Sequence, residues 1–509
     1  MPHPRVLRDL VHVRPSLCFV ETSAHFEPAA PVGATLAVAP RFSDIARLWS
    51  LGATLLPACL SVALLAGCAT LSPDAGLDAV QRIAKDRTGH DVRWSRTDSE
   101  IEATLATVRQ ILQRPLSVDD AVQVALINNR GLQAIYAELG IADADLVRAS
   151  WPRNPGFSFS HLQGGGEKEI ERSFTLQLVG LLTIPLATRL ERDRVEATRF
   201  SVAAQVLEVA AQTRRAYFRA VAAQQTARYM EQVEIAAKAG AELAQRMARA
   251  GNWTKLDQAR EQSFYADATA QVARSRQAAL AEREKLTRLL GLSGAEIPFT
   301  LPERLPELPA GLADSTDLEA RALRDRMDLQ ASRKDIESLA TSLGLTKATR
   351  FINVLEIGYR SKSDSGLPLK QGYEISFELP LFDFTGAKVA RAEYVYMQAV
   401  NRAAEVATNA QSEVRDTYAA YRTAYDLARR YRDQVVPLRK QISDENQLRY
   451  NAMLISVFEL LADAREQVMS VNASINALRD FWLAETDLQI AINGSSTAMG
   501  RAATRAGAN

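Results

Sequence analysis

The sequence predicts a mainly α-helical chain with a small β part, built as one structural unit used twice. Three observations carry this. Ala125-Leu126, five intervening residues and Leu132-Gln133-Ala134 recur as Ala322-Leu323, five residues and Leu329-Gln330-Ala331. After each copy comes the same order of patterns: a helical period, a hairpin of period two, a very long helical period, a tight turn and a returning helix. Between the copies lie Pro298, Pro302, Pro306, Pro309 and Gly311, which forbid a continuous helix and favour an extended crossing segment.

These signals set the expected boundaries. Residues 1–67 form a signal region and 68–114 an N-terminal extended segment. Residues 115–291 and 315–492 are the two repeats, joined by the Pro-rich linker 292–314. The tail 493–509, mostly Gly, Ser, Thr and Ala, is expected to be disordered.

Composition excludes more than it proves. With 61 basic against 60 acidic residues the chain has no electrostatic footprint for nucleic acid. Cys18, Cys59 and Cys68 are the only cysteines, so the body offers no disulfide, thiolate metal site or thiol nucleophile. Beyond Cys68 only His90 and His161 could serve a histidine site. No nucleophile with a base, phosphate loop or metal-ligand cluster is legible, so no enzyme and no cofactor is expected.

At the amino-terminal end, Arg41 and Arg47 precede an apolar run over 48–65 that closes in Leu65-Ala66-Gly67-Cys68. A basic flank, an apolar run and small residues form a secretory signal. The cysteine directly after the small residues resembles a bacterial lipobox, which makes Cys68 the acylated first residue of the mature protein. Ala69 after it resembles lipoproteins sorted onward to the outer membrane. The alternative is one spanning helix, since about 20 apolar residues suffice to cross a bilayer. Residues 1–40 do not fit an export signal, and the expectation is a misassigned start codon, with translation beginning near Val38 or Leu48.

In the first repeat helices are expected over Ser117–Ala149, from Leu186 to about Ala248, and over Thr254–Leu290. In the second they are expected over Ser315–Lys347, from Gly386 to about Tyr450 with a kink at Pro437, and over Ser456–Ile492. Val202, Val206, Val209, Ala216 and Ala220 form a helix seam. Ser117, with Asp120 three residues on, reads as a helix N-cap.

The hairpins alternate strictly. Phe157, Phe159 and His161 answer Phe174, Leu176 and Leu178 in the first repeat. Leu355, Ile357 and Tyr359 answer Tyr373, Ile375, Phe377 and Leu379 in the second, across a polar turn through 361–370. Strands of about nine or ten residues have the length of a tilted transmembrane strand. A soluble hairpin over a small core would alternate in the same way. A coiled-coil rod gives these hairpins no evident core, however, and four strands cannot close a barrel in lipid without leaving backbone groups unsatisfied. The chain is therefore expected to oligomerise, and three copies would supply twelve strands.

The residues ALINNRGLQA, LPLFDFTGAKVARAE, ARAGNWTKLDQAR and RYNAMLISVFELL resemble the TolC-like outer-membrane efflux proteins over about Pro115–Ile492. The order of elements makes the resemblance specific. It implies a homotrimer in the outer membrane, lipid-anchored in this case. A twelve-stranded β-barrel would continue into an α-barrel of long antiparallel helical hairpins crossing the periplasm. Such channels work with a periplasmic adaptor and an inner-membrane efflux pump.

The family's periplasmic tip carries Tyr-x-x-Gly-x-x-Ser/Thr before an acidic residue. Here Tyr450, Ser456 and Glu459 match, with Met453 in place of the glycine; in the first repeat Gly251, Thr254 and Asp257 match, with Ala248 at the Tyr position. The resemblance makes Asp257, Tyr450 and Glu459 gate candidates, while Ile455 stands where some members carry a gating Arg. The alternative for all three is an ordinary helix cap or solvated face. Two rival functions remain, a periplasmic adaptor and a structural coiled-coil lipoprotein. The doubled hairpins speak against the adaptor.

Overall fold

Two short helices precede everything the repeat pattern accounts for. The computed structural model describes residues 70–293, 298–312, 316–349, 354–378 and 386–494. Cys68, the signal region and the tail beyond 494 lie outside the described residues, as does Leu379. Within 68–114, expected to be extended, stand α1 (Leu77–Thr88) and α2 (Asp98–Leu112). The correction has a local cause. Thr97 accepts from the Glu100 N–H while the Glu100 carboxylate accepts from the Thr97 N–H, a capping box that starts α2. Gly89, at φ 75°, ends α1 in the left-handed conformation.

The first half then runs α3 (Val118–Asn128), α4 (Arg130–Ser150), β1 (Gly156–Gly164), β2 (Glu167–Gln177), α5 (Leu178–Arg249) and α6 (Lys255–Leu289). The second runs α7 (Leu318–Asp325), α8 (Met327–Ala348), β3 (Leu355–Asp364), β4 (Lys370–Phe377), α9 (Gly386–Arg430), α10 (Val436–Asn451) and α11 (Val457–Asn493). Ser117 caps α3 through the Asp120 N–H, as its spacing predicts. The helices expected over 117–149 and 315–347 are each broken once, at Asn129 and Arg326, whose ψ values of 119° and 132° are extended.

Helix α5 has 72 residues, about 108 Å at 1.5 Å per residue. It starts at Leu178, not Leu186, and carries Pro185 inside it. One missing N–H near the start of so long a helix is outweighed by its packing. The kink expected at Pro437 takes the form of a π turn, Tyr431–Val435, with Pro437 in the first turn of α10. Proline lacks the N–H and its ring crowds the carbonyl four residues back; the wider turn lets the chain pass.

Val202, Val206, Ala210, Thr213, Tyr217 and Ala220 recur every three or four residues along α5, and all are buried. Small residues let α6, α8 and α11 approach this face closely. Farther along, Phe218 of α5 stacks on Trp482 of α11 at 5.3 Å. Phe481 beside it meets Tyr421 and Tyr425 of α9 at 5.5 and 5.8 Å. This aromatic chain joins the two halves through their cores. The extended linker is fastened across them: Thr300 accepts from the Leu116 N–H, Pro306 from the Trp482 indole, and Pro309 and Ala310 from the Tyr425 hydroxyl.

Candidate functional site: a two-faced sheet and the far helix turns

The two hairpins form one antiparallel sheet in the order β1-β2-β3-β4, so β2 and β3, distant in sequence, pair directly. Gly165 and Gly166, at φ 62° and 89°, turn the first hairpin, a conformation that side chains resist. Directly opposed residues share a face, which makes the register a map of both surfaces. Phe157, Phe174, Tyr359 and Tyr373 form one row across all four strands. On the same face Leu176, Ile357 and Ile375 form the next row, then Leu355 and Phe377, with Phe159 on the other side of the aromatic row. These rows cover about six residues of strand, roughly 20 Å. The chain itself leaves them open: Tyr373 is 85% exposed, Phe157 70% and Phe377 59%.

The opposite face is ionic. Arg360 sits between Glu171 at 3.0 Å and Glu374 at 2.8 Å, and Lys362 contacts Glu169 at 2.7 Å. Lys370 and Lys362 both approach Asp364. A sheet covering a soluble core would bury its aromatic face and wet the other. Here the aromatic face is bare. The order also leaves one edge of β1 and one of β4 without a strand partner among the described residues.

At the other end of the long helices lie two turns. Thr254 caps α6, accepting from the Asp257 N–H and donating to its carboxylate at 2.6 Å, while Arg260 lies 3.5 Å from Asp257. Ser456 caps α11 by accepting from the Glu459 N–H. Gly251 and Met453 each stand three residues before the cap, at φ 75° and 62°. Tyr450 ends the last turn of α10, where its carbonyl accepts from the Met453 N–H, and its side chain is half-buried.

Both turns lie at the same end of the molecule. The Arg465 guanidinium donates to the buried Glu261 carboxylate at 2.7 Å, and these residues are seven and nine positions past the turns' caps. At 1.5 Å per residue each cap is therefore within about 10–14 Å of that one contact along its helix.

No protein-family model and no curated protein matches the sequence. Solved structures do match. A membrane protein from Pseudomonas aeruginosa is 20% identical at a TM-score of 0.64, covering 74% of this chain and 90% of that one. The CmeC outer-membrane channel of Campylobacter jejuni is 16% identical at 0.63, covering 81% and 92%. The open-state MtrE outer-membrane channel of Neisseria gonorrhoeae is 17% identical at 0.62, covering 74% and 89%. The fold is that of the TolC-like outer-membrane channels.

Within this TolC-like fold the residues expected at the tips fall on the two far turns, Thr254 and Ser456 as caps and Asp257 and Glu459 in the first helical turns. Asp257 is brought to Thr254 and Arg260, partners within its own turn. Cys68 lies outside the described residues. Among the described residues no helix is long and apolar enough to cross a membrane, and no group of three or more His, Cys, Asp or Glu could hold a metal ion. Sequence reasoning missed the Glu261–Arg465 pair. The charges themselves were visible, but nothing local indicates that α6 and α11 face each other there.

Proposed function

We propose that the chain is the outer-membrane channel subunit of a tripartite efflux system. It would pass to the exterior, without chemistry of its own, what an inner-membrane pump and a periplasmic adaptor deliver. The observation that carries this is the sheet: an exposed aromatic face about as tall as the apolar band of a bacterial barrel, backed by an ion-paired face suited to a wet lumen. Two bare strand edges cannot persist in lipid, so each β1 meets the β4 of a neighbouring copy. Three copies of the two repeats close a twelve-stranded barrel, and their helical hairpins close an α-barrel below it. The solved channels of the same fold support this reading, and the matched caps Thr254 and Ser456 support the duplication.

Cys68 is the acylation site that adds a lipid anchor to the barrel. The far turns form the periplasmic mouth, where Asp257, Tyr450 and Glu459 of three chains converge and their carboxylates favour cations. The test is direct. The protein should fractionate with the outer membrane as a heat-modifiable oligomer and form ion-conducting pores in a planar bilayer. A soluble periplasmic protein without conductance would instead support the structural coiled-coil reading.

A further inference from the structure

A pocket lies at the foot of the sheet. It has a volume of about 400 Å³ and lies where the end of α4, the loop through Trp151 and Arg153, the β2–α5 junction, the end of α8 and the start of β3 come together. Its lining is mixed: Arg148, whose side chain is 88% exposed, and Arg153 stand among apolar residues that include Val179, Ile184, Leu345 and Leu355.

Helix α5 begins inside the pocket. Its N-cap residue Gln177 makes no side-chain cap, and the first turn contains no acidic residue. The positive end of the helix and its opening N–H groups are therefore left for an anion. Gly180 in that first turn lies against the Arg153 stem, which a Cβ there would meet at 3.9 Å, and so places Arg153 beside the start of α5. Two carboxylates lie close by without lining the pocket. Asp145 is 4.0 Å from Arg148, and Glu356 accepts from Gln177, which in turn accepts from Arg153.

We propose that this pocket binds one anionic phospholipid per chain. The phosphate is held by Arg148, Arg153 and the opening N–H groups of α5. An acyl chain lies along Val179 and Ile184 toward Leu355, where the bare apolar face of the sheet begins. Free phosphate would use only the basic residues, whereas phosphatidylcholine offers the same phosphate beside a cationic choline that Arg148 and Arg153 repel. Trp151 at the rim, 51% exposed, is the residue type that membranes collect at the level of their headgroups. The inference rests on the channel reading, which places this level at the periplasmic leaflet of the outer membrane.

The experiment is native mass spectrometry of the full protein extracted from the outer-membrane fraction, delipidated and then offered phosphatidylglycerol, phosphatidylcholine of equal chain length, or inorganic phosphate. Phosphatidylglycerol should be retained over phosphatidylcholine by roughly tenfold, the factor worth one charge-assisted contact. Arg148→Gln with Arg153→Gln should abolish that preference. Arg148→Lys with Arg153→Lys should largely keep it, which separates lost charge from lost structure. Equal retention of the two lipids, or displacement of phosphatidylglycerol by equimolar inorganic phosphate, would overturn the lipid site while leaving the channel reading intact. A protein absent from the outer-membrane fraction would overturn both.

Discussion

Asn129 and Arg326 break their helices at matching points and reach matching targets. The Asn129 amide donates to the Leu289 carbonyl at 2.8 Å, and the Arg326 guanidinium to the Ala491 carbonyl at 3.1 Å. Each acceptor lies 35 residues past the cap of its return helix, since 289 − 254 and 491 − 456 agree. Where an amide serves the first half, a fully buried cation serves the second. Arg326 therefore recruits Asp328, through two hydrogen bonds of 3.1 and 2.8 Å, and Glu413 at 2.9 Å.

The two sites should differ in their tolerance of substitution. Arg326→Ala leaves the buried Asp328 without its bidentate partner and should cost about 3–5 kcal/mol, whereas Asn129→Ala removes a neutral cap and should cost about 1–2 kcal/mol. Urea unfolding of the purified protein, followed by circular dichroism, measures both. Replacing Arg326 and Asp328 together with apolar residues should cost less than Arg326→Ala alone.

Met453 holds the left-handed conformation that Gly251 holds in the other turn, with its side chain 93% exposed. No packing gain offsets the strain, which for a non-glycine residue is about 1–2 kcal/mol. Met453→Gly should therefore raise the free energy of unfolding by up to about 1 kcal/mol, after allowance for glycine's greater freedom in the unfolded chain. Gly251→Met should lower it. Hydrogen exchange across 448–458 would locate the effect.

How much of this was legible depended on whether the cause was local. Thr254 and Ser456 were readable as helix starts because a cap is chemistry within four residues, and the alternation of Phe157 and Phe159 with Ser158, and of Tyr373 and Ile375 with Glu374, named the strands. The Thr97 and Glu100 capping box is equally local, although the segment 68–114 lies outside the repeat whose period marks the other helices. Asn129 carried a cap signal hidden inside a helical period. The break at Arg326 had none: its cause is a carbonyl 165 residues away. The helix expected from Leu186 begins instead at Leu178, with Pro185 inside it, because tertiary packing overrides the proline. The pairing of β2 with β3, which makes one sheet of two hairpins, is likewise long-range.

Glu485 on α11 gives the pH dependence a direction. Burial pushes its carboxyl above the ordinary 4.5, although Arg214 lies 3.4 Å away and pulls it down. The folded chain thus holds this proton more tightly than the unfolded chain, so this residue's contribution to stability falls as pH rises from about 4.5 through the raised folded value. Glu485→Gln should flatten that part of the stability profile and leave pH 3 unchanged. Melting temperatures from pH 3 to 8 read it out.

At the far turns, Asp257→Asn with Glu459→Gln removes the charge and leaves the caps Thr254 and Ser456 in place. In planar bilayers these substitutions should reduce cation preference and raise single-channel conductance. An unchanged reversal potential in a salt gradient would remove both residues from the gate and leave them as first-turn residues of their helices.

The central claim, that bare strand edges close a barrel between copies, is tested most directly by cysteine cross-linking. Within one chain β1 and β4 are three strand spacings apart, about 14 Å, too far for a disulfide. No native cysteine follows Cys68 to interfere. With Gln371→Cys on β4 and single cysteines scanned along 157–163 of β1, oxidation of the membrane-embedded protein should give a ladder of cross-linked species ending at three chains. A chain that stays monomeric at every position, or a ladder that ends at another number, would contradict the account.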